Sequence, residues 1–524
     1  MIDDRYLSDA AHFPGGHASG VAVPHSVEEV PDLVRSGRSV LVVGAQSSLT
    51  GGATPMGELV LSTEKLTRIL DIGPGYIRVE AGVAVAVMQD ALAGVGAWFP
   101  PAPTFTGAFA GGIVATNAAG AATFKYGSVR RWVEAITVVL ADGTELTLGR
   151  GDIAASNGVL RVPSVRGSVA VPVPSYRMPD VVKRSAGYHA EPEMDLVDLF
   201  IGSEGTLGVV TTVTFRTLSP APLTALALIP CATEPQALAL VADLRRDSSI
   251  AAIEHMDRRC LDILREDGAD ARNGVAFPEG TEIALLAQIE VPSGTTRSTA
   301  FDEIGSALAS GTERPGAAGA NEASLSEPRS RRAPDNAAPT PLARICRVLN
   351  AHGVFDTTEI ALPGDEHRRD QLVAIREAVP AGVNARVGRA QRDIDPRIAK
   401  TAADMIVPFD RFAEMMAIYR EGFRSRGLDF AVWGHISDGN VHPNVLPRSY
   451  EDVELGKDAL LSFGRDVARL GGCPLAEHGV GRNPVKQALL RGLYGEAGLE
   501  QMRAVKRALD PDWTLAPGVI FEKR

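Results

Sequence analysis

Gly44-Ala45-Gln46-Ser47-Ser48-Leu49-Thr50-Gly51-Gly52 follows the apolar run Ser39-Val40-Leu41-Val42-Val43, which reads as a short strand. A strand therefore runs into a loop of small and hydroxyl residues. Such a loop can curl until successive backbone N–H groups point at one anion, or it can be a plain connection. Two phosphate-binding folds are excluded. No Gly-Lys-Ser/Thr follows, so this is not a P-loop, and Gly51, Gly52 and Pro55 disfavour the helix that a Rossmann turn must open.

Upstream, Gly20 to Pro24 reads as a strand and Ser26 to about Arg35 as a helix, although Pro31 is late for a first turn. Downstream, strands are expected at Leu59–Ser62 and Tyr76–Glu80, and a helix from Val85 to Leu92. Pro100 to Gly120 contains few large side chains. Its backbone can approach a flat or charged ligand closely, or its helices simply pack tightly. Lys125-Tyr126-Gly127 leads into a strand at Val133–Leu140 and a turn at Ala141-Asp142-Gly143. Ile201-Gly202-Ser203-Glu204-Gly205-Thr206-Leu207-Gly208-Val209-Val210 closes this region. From about residue 220 the rhythm becomes strand (Thr224–Pro230), helix (Glu234–Arg246) and strand (Ile283–Ile289). Gly311 to Pro341 is mostly Ala, Gly, Ser, Pro, Glu and Arg, with Leu325 its only large aliphatic, and reads as a mobile insertion. A helix ends at Pro380 and carries Arg376, whose guanidinium suits a carboxylate two-pronged. A surface ion pair is the alternative there, as it is for Lys400. Helices follow at Asp410–Arg426, stopped by Gly427, and at Leu499–Leu509.

Two later stretches carry candidate chemistry. In Val432-Trp433-Gly434-His435-Ile436-Ser437-Asp438-Gly439-Asn440-Val441-His442-Pro443-Asn444, Asp438-Gly439 is a two-residue hairpin signal. With those residues as the turn, His435 faces His442 with Cβ atoms about 4.5–5.5 Å apart. Two imidazoles can then hold one metal ion, or stay solvated. Asn444 points to the same face as His442. Ala476-Glu477-His478-Gly479-Val480-Gly481 adds a carboxylate, completing a two-His-one-carboxylate set with open positions. Neighbours in an extended chain point opposite ways, so Glu477 and His478 need not share a role.

The chain has 524 residues, enough for two or three domains, and a net charge of −11, which argues against a nucleic-acid partner. Four widely spaced cysteines suit neither a zinc ribbon nor an iron–sulfur cluster and fit a reducing compartment. The acidic start has no apolar signal region, and no apolar run reaches the roughly 20 residues of a membrane span. A cytoplasmic protein is expected, with a peripheral position at the membrane and a homodimer both open to it.

Taken in order, the Gly-Ala-x-Ser-Ser-x-Thr-Gly-Gly loop, the Pro-rich Gly-Gly-x-x-Ala-Thr-Asn segment, Gly-Ser-Glu-Gly-Thr-Leu-Gly, Gly-His-x-x-Asp-Gly-Asn-x-His and Glu-His-Gly-Val-Gly resemble the FAD-linked oxidases with a PCMH-type flavin domain. The branch resembled is that of D-lactate dehydrogenase, D-2-hydroxyglutarate dehydrogenase and the glycolate oxidase flavin subunit. The resemblance implies an α+β chain. A PCMH-type (vanillyl-alcohol oxidase-like) FAD-binding domain of two α+β subdomains would span 1–219. An α+β cap with an antiparallel sheet would span 220–455, with the insertion at 311–341, and 456–524 would return to the flavin domain as a helical segment.

The resemblance also implies a site. The backbone from Gly44 and Ala45 through Gln46, Ser47, Ser48 and Leu49 would hold the FAD pyrophosphate. Pro103, Thr106, Gly107, Ala108, Gly111 and Gly112 would line the cofactor, with Asn117, Gly127, Glu204, Gly208 and Val209. This loop holds neither His nor Cys, so the FAD is expected to be non-covalent. His435, His442 and Glu477 would hold a divalent metal, zinc or manganese. His478 would be the base that takes the hydroxyl proton of a small D-2-hydroxy acid, with Arg376 and Asn444 assisting; relatives tend to carry a lysine where this chain has Ala402, which leaves Lys400 as the weaker candidate. Flavin N5 would receive the hydride, and electrons would leave to a quinone, a cytochrome or a flavoprotein. Alternatives are a flavin oxidase using oxygen, a non-redox alkylglycerone-phosphate synthase-like enzyme, and a non-catalytic flavin-fold subunit.

Overall fold

A computed structural model describes residues 2–101, 105–165, 167–309 and 339–523. The chain forms two compact units: Met1–Ala221 with Ala381–Arg524, and Pro222–Pro380. Residues 381–455 thus cluster with the first unit, whereas the sequence reading grouped them with 220–380.

In the first unit, Leu59–Ser62 is the centre of a three-stranded parallel sheet, between Gly20–Ala22 and Val40–Val43. The chain crosses from Gly20–Ala22 to Val40–Val43, on the other side of that central strand, through Val27–Glu29 and helix Val30–Val34. Because Val27–Glu29 is a 3-10 turn, Pro31 falls in the first turn of the α-helix, where its missing N–H costs nothing. A second sheet is antiparallel, in the order Ile69–Gly73, Tyr76–Glu80, Val209–Arg216, Val133–Val139, Glu145–Gly149. Val40, Leu59 and Leu61 from the first sheet share one buried core with Val139 and Val209 from the second and with Leu515 from the C-terminal segment. Val40 N donates to Thr514 O at 2.7 Å and Ala516 N to Val40 O at 2.8 Å. The C-terminal segment therefore pairs alongside the first sheet.

A third sheet in this unit is antiparallel: Phe430–His435, Asn440–Val445 and Met405–Ile406. Its register corrects the sequence reading. His435 pairs with Asn440, and His442 pairs with Trp433. The connection is a 3-10 turn, Ile436–Asp438, closed by Gly439 at φ 86°. A Cβ on Gly439 would lie 2.1 Å from Val407 O, so this corner needs glycine for space as well as for φ.

The second unit holds a four-stranded antiparallel sheet: Glu359–Ala361, Leu223–Cys231, Ile283–Val291 and Ile250–Met256. Helices Glu234–Leu244 and Pro341–Ala351 start on side-chain caps from Thr233 and Thr340, each with proline in the first turn. This is the expected α+β arrangement with an antiparallel sheet. The helix expected to end at Pro380 instead runs from Glu366 to Asp393. Ile375, Val379, Val383 and Val387 are buried at every fourth position, and that burial offsets the hydrogen bond lost at Pro380. Pro103 and residues 311–338 of the expected insertion lie outside the described residues. Among the described residues, no helix is long and apolar enough to cross a membrane.

Candidate active site

The strand Val40–Val43 delivers the loop that begins at Gly44. Gln46 O and Ser48 O accept from Ala10 N and Ala11 N at 3.0 and 3.1 Å, so the N-terminal segment takes up the loop carbonyls. Gln46 turns into the left-handed region at φ 51°. Among the described residues, the amides of Ala45 to Leu49 donate to no protein group. A run of unspent N–H donors at such a turn fits a pyrophosphate. The loop lines a cavity with Ala108, Gly111, Gly112, Glu204 and Gly208, and Glu477 and His478 line the same cavity. The glycine-rich segment differs at adjacent residues. A Cβ on Gly111 would lie 2.7 Å from Ala81 Cβ, so close packing needs glycine there, whereas one on Gly112 would meet nothing.

Other expected cofactor residues are not among those that line this cavity. Asn117 Oδ1 accepts from Arg130 N at 3.0 Å. Val209 is in the hydrophobic core. Gly127 packs against Arg131, where a Cβ would lie 2.3 Å from Cδ. Thr106 and Gly107 are not among the residues lining the cavity.

The hairpin histidines do converge. Trp433 faces His442, and His435 is two residues on from Trp433, hence on the same face. The register shift moved His435 by two positions, and two preserves the face. Glu477 Oε1 lies 3.4 Å from His435 Nε2, 3.3 Å from His442 Nε2 and 3.6 Å from His478 Nε2. The chain bends at Glu477-His478, so the two side chains converge rather than point apart. His435, His442 and Glu477 offer ligand atoms all within 4.8 Å of one another. Two imidazoles and a carboxylate suit zinc or manganese.

Asp404, which no sequence signal marked as functional, organises this cluster. Its Oδ2 accepts from Glu477 N at 2.7 Å and His478 N at 2.9 Å, and its Oδ1 from Asn440 Nδ2 at 2.9 Å. It also faces His478 Nδ1 at 3.3 Å and His442 Nδ1 at 3.6 Å. The Nδ1 edges are thus turned to Asp404 and the Nε2 edges to Glu477, which is how a carboxylate orients imidazole ligands from behind. Burial pushes the His478 imidazole down to about 4, against the pull of Asp404 and Glu477. Burial opposes ionisation of Glu477 too, but Lys183 and His435 outweigh it and hold the carboxyl well below its usual range. A neutral imidazole beside an ionised carboxylate can accept a proton. Lys183, also missed, is fully buried and lies 3.1 Å from Glu477 Oε2. Only the fold brings it there, across nearly 300 residues of chain.

Asn444 Nδ2 donates to His442 O at 2.8 Å, while its Oδ1 is buried with no hydrogen-bond partner among the described residues. Lys400 is exposed and has no ion-pair partner among the described residues. Arg376 belongs to the second unit, where its Nε bonds Glu254 Oε2 at 3.1 Å.

The Glu-His loop is pressed onto the rim of the cavity. Glu204 accepts from Val480 N and Gly481 N at 2.8 Å each, and Arg482 N donates to Thr50 O at 3.0 Å. Burial pushes the Glu204 carboxyl up to about 7 against those two amides. Residues 222–520 match the C-terminal domain of the FAD linked oxidases, and residues 18–149 match an FAD binding domain. The chain belongs to the FAD-linked oxidase family. As a member it is an FAD-dependent oxidoreductase whose flavin domain is of the PCMH type. It is similar to a D-lactate dehydrogenase of Archaeoglobus fulgidus, at 28% identity over 96% of this chain and 91% of the relative. It is also similar to a D-2-hydroxyglutarate dehydrogenase of Xanthomonas citri, at 27% over 96% and 89%. A glycolate oxidase subunit of Bacillus subtilis matches at 26% over 99% and 92%. Among solved structures, an alkyldihydroxyacetonephosphate synthase shares the fold, with a TM-score of 0.55 at 14% identity over 95% of this chain and 76% of that one.

Proposed function

We propose that the protein oxidises a D-2-hydroxy acid of the lactate or 2-hydroxyglutarate class to the 2-oxo acid. The observation that carries this reading is that Glu477 and His478 line the same cavity as the unspent amides of Ala45 to Leu49. The substrate class rests on the similarity to dehydrogenases of D-lactate and D-2-hydroxyglutarate. In this reading Ala45 to Leu49 hold FAD without a covalent bond, since the loop has no His or Cys, and His435, His442 and Glu477 hold a divalent cation. When bound, FAD supplies a two-electron acceptor and the cation a Lewis acid for the hydroxyl oxygen.

The chain's own residues do the rest. His478 takes the hydroxyl proton on Nε2, because Asp404 faces its Nδ1. Asn444 Oδ1 is an unfilled acceptor for a substrate hydroxyl. Lys400 offers the substrate carboxylate an unpaired ammonium. In this reading electrons leave to an external quinone, cytochrome or flavoprotein.

Anaerobic mixing tests this. The yellow protein is expected to bleach with one D-2-hydroxy acid and not with its L-isomer. Bleaching should slow by about 10²–10⁴-fold in His478→Ala, the usual worth of a positioned base, and also after chelation. A yellow protein that no 2-hydroxy acid reduces would overturn the reading. Bleaching that chelation leaves untouched would remove the cation from it.

A further inference from the structure

Lys183 has no place in the chemistry above, yet its position is demanding. Its side chain is wholly removed from solvent. Its ammonium lies 3.1 Å from Asp438 Oδ2, 3.1 Å from Glu477 Oε2 and 3.2 Å from Asn440 Oδ1. Asn440 is the aligned hydrogen-bond acceptor. Asp438 Oδ2 and Glu477 Oε2 have no hydrogen-bond partner among the described residues, so the ammonium meets them as charge. Glu477 is thus divided: Oε1 faces the imidazoles of His435, His442 and His478, and Oε2 faces Lys183.

Charge explains why a cation is needed there. Asp404, Asp438 and Glu477 are buried carboxylates within one cluster. The buried cations on it are Lys183 and Lys486, and Lys486 Nζ donates to Gly479 O at 3.3 Å rather than to a carboxylate. Without Lys183, the two buried carboxylates Asp438 and Glu477 would keep the His435 imidazole but lose their buried ammonium, which is unfavourable.

We propose that Lys183 is the resident counter-cation of this cluster. It keeps the site folded when no divalent ion is held. By keeping Glu477 Oε2 it leaves a single carboxylate oxygen, Oε1, to an ion on His435 and His442, so that positions stay open for substrate. Lys183 is a positioning residue, and it opposes the ion it stands beside. The inference rests on the reading that His435, His442 and Glu477 hold a divalent cation.

The test compares Mn²⁺ affinity and metal-free stability of the full-length wild-type protein with Lys183→Met and Lys183→Gln, both purified with Mn²⁺ present. Removing the like charge should tighten Mn²⁺ binding by about tenfold or more, since two such charges a few ångströms apart repel strongly in a buried site. The same variants should melt lower than wild type once chelated, with most of the difference restored by Mn²⁺. A merely structural lysine gives the opposite sign, because a disordered site binds metal more weakly. Weaker or unchanged affinity in both variants would overturn the proposal and leave the metal site standing. So would variants that stay unfolded with saturating Mn²⁺. Wild-type protein that takes up no divalent ion would overturn the metal reading and, with it, the competition proposed for Lys183.

Discussion

Asp404 Oδ2 takes the amides of both Glu477 and His478, and the same carboxylate faces Nδ1 of two imidazoles. His435, His442, Glu477 and His478 were legible because their residue types advertise metal and proton chemistry. Asp404 and Lys183 were not, since their contacts lie 36 to 294 positions away in the chain and no local pattern encodes such partners. Ion pairs at this scale can be tested by pH. In the second unit, Arg344 Nε and Nη2 donate to Asp247 Oδ2 and Oδ1 at 2.6 and 2.8 Å. These bonds hold the Asp247 carboxyl well below its usual range, against partial burial. An acid whose folded value is depressed adds stability above its unfolded value of about 3.9 and loses it as pH falls toward the folded value. Asp247→Asn is therefore expected to destabilise by about 1 kcal/mol at pH 7, as for a charge-assisted pair that is partly exposed. The deficit should shrink as pH falls below 4. Urea midpoints at pH 7 and pH 3 check this, and a deficit that persists at pH 3 would assign the effect to packing.

At the scale of elements, the hairpin shows which part of a pattern argument is robust. Its turn has four residues where two were expected, yet the histidines still share a face, because the side-chain period is two and the register moved by two. The Glu-His loop shows what a pattern misses. Its bend aims both side chains at one place, and its glycines let it sit against the loop that follows Val40–Val43. A Cβ on Gly481, at φ 57°, would lie 2.2 Å from Thr50 Oγ1. Gly481→Val should pry the two loops apart and weaken FAD binding by at least about tenfold, a loss of only ~1.4 kcal/mol. Flavin content after gel filtration reads this directly, and a fully yellow variant would show that the contact does not shape the cradle. Pro380 is the opposite case: local propensity ends a helix there, and a buried stripe carries it to Asp393.

At the scale of the molecule, the cavity draws its walls from residues 42–63, 105–119, 203–210 and 477–478. No unfolded chain assembles those four stretches, so FAD should bind only the folded state. At a hundredfold excess over Kd it is expected to stabilise by about 2.7 kcal/mol, seen as a rise in Tm that grows with FAD concentration. A Tm indifferent to FAD would contradict a site built from distant segments. The sequence by itself determined the order of flavin-domain segments and the α+β alternation, and it singled out His435, His442, Glu477 and His478 by residue type. Those depend on local spacing and on residue chemistry, which survive without coordinates. Only the tertiary structure decided that Asp404 binds the hairpin to the Glu-His loop, and that Lys183 shares Glu477 with the histidines. These are contacts between residues far apart in the chain, chosen by the need to pair buried charge and fill buried volume.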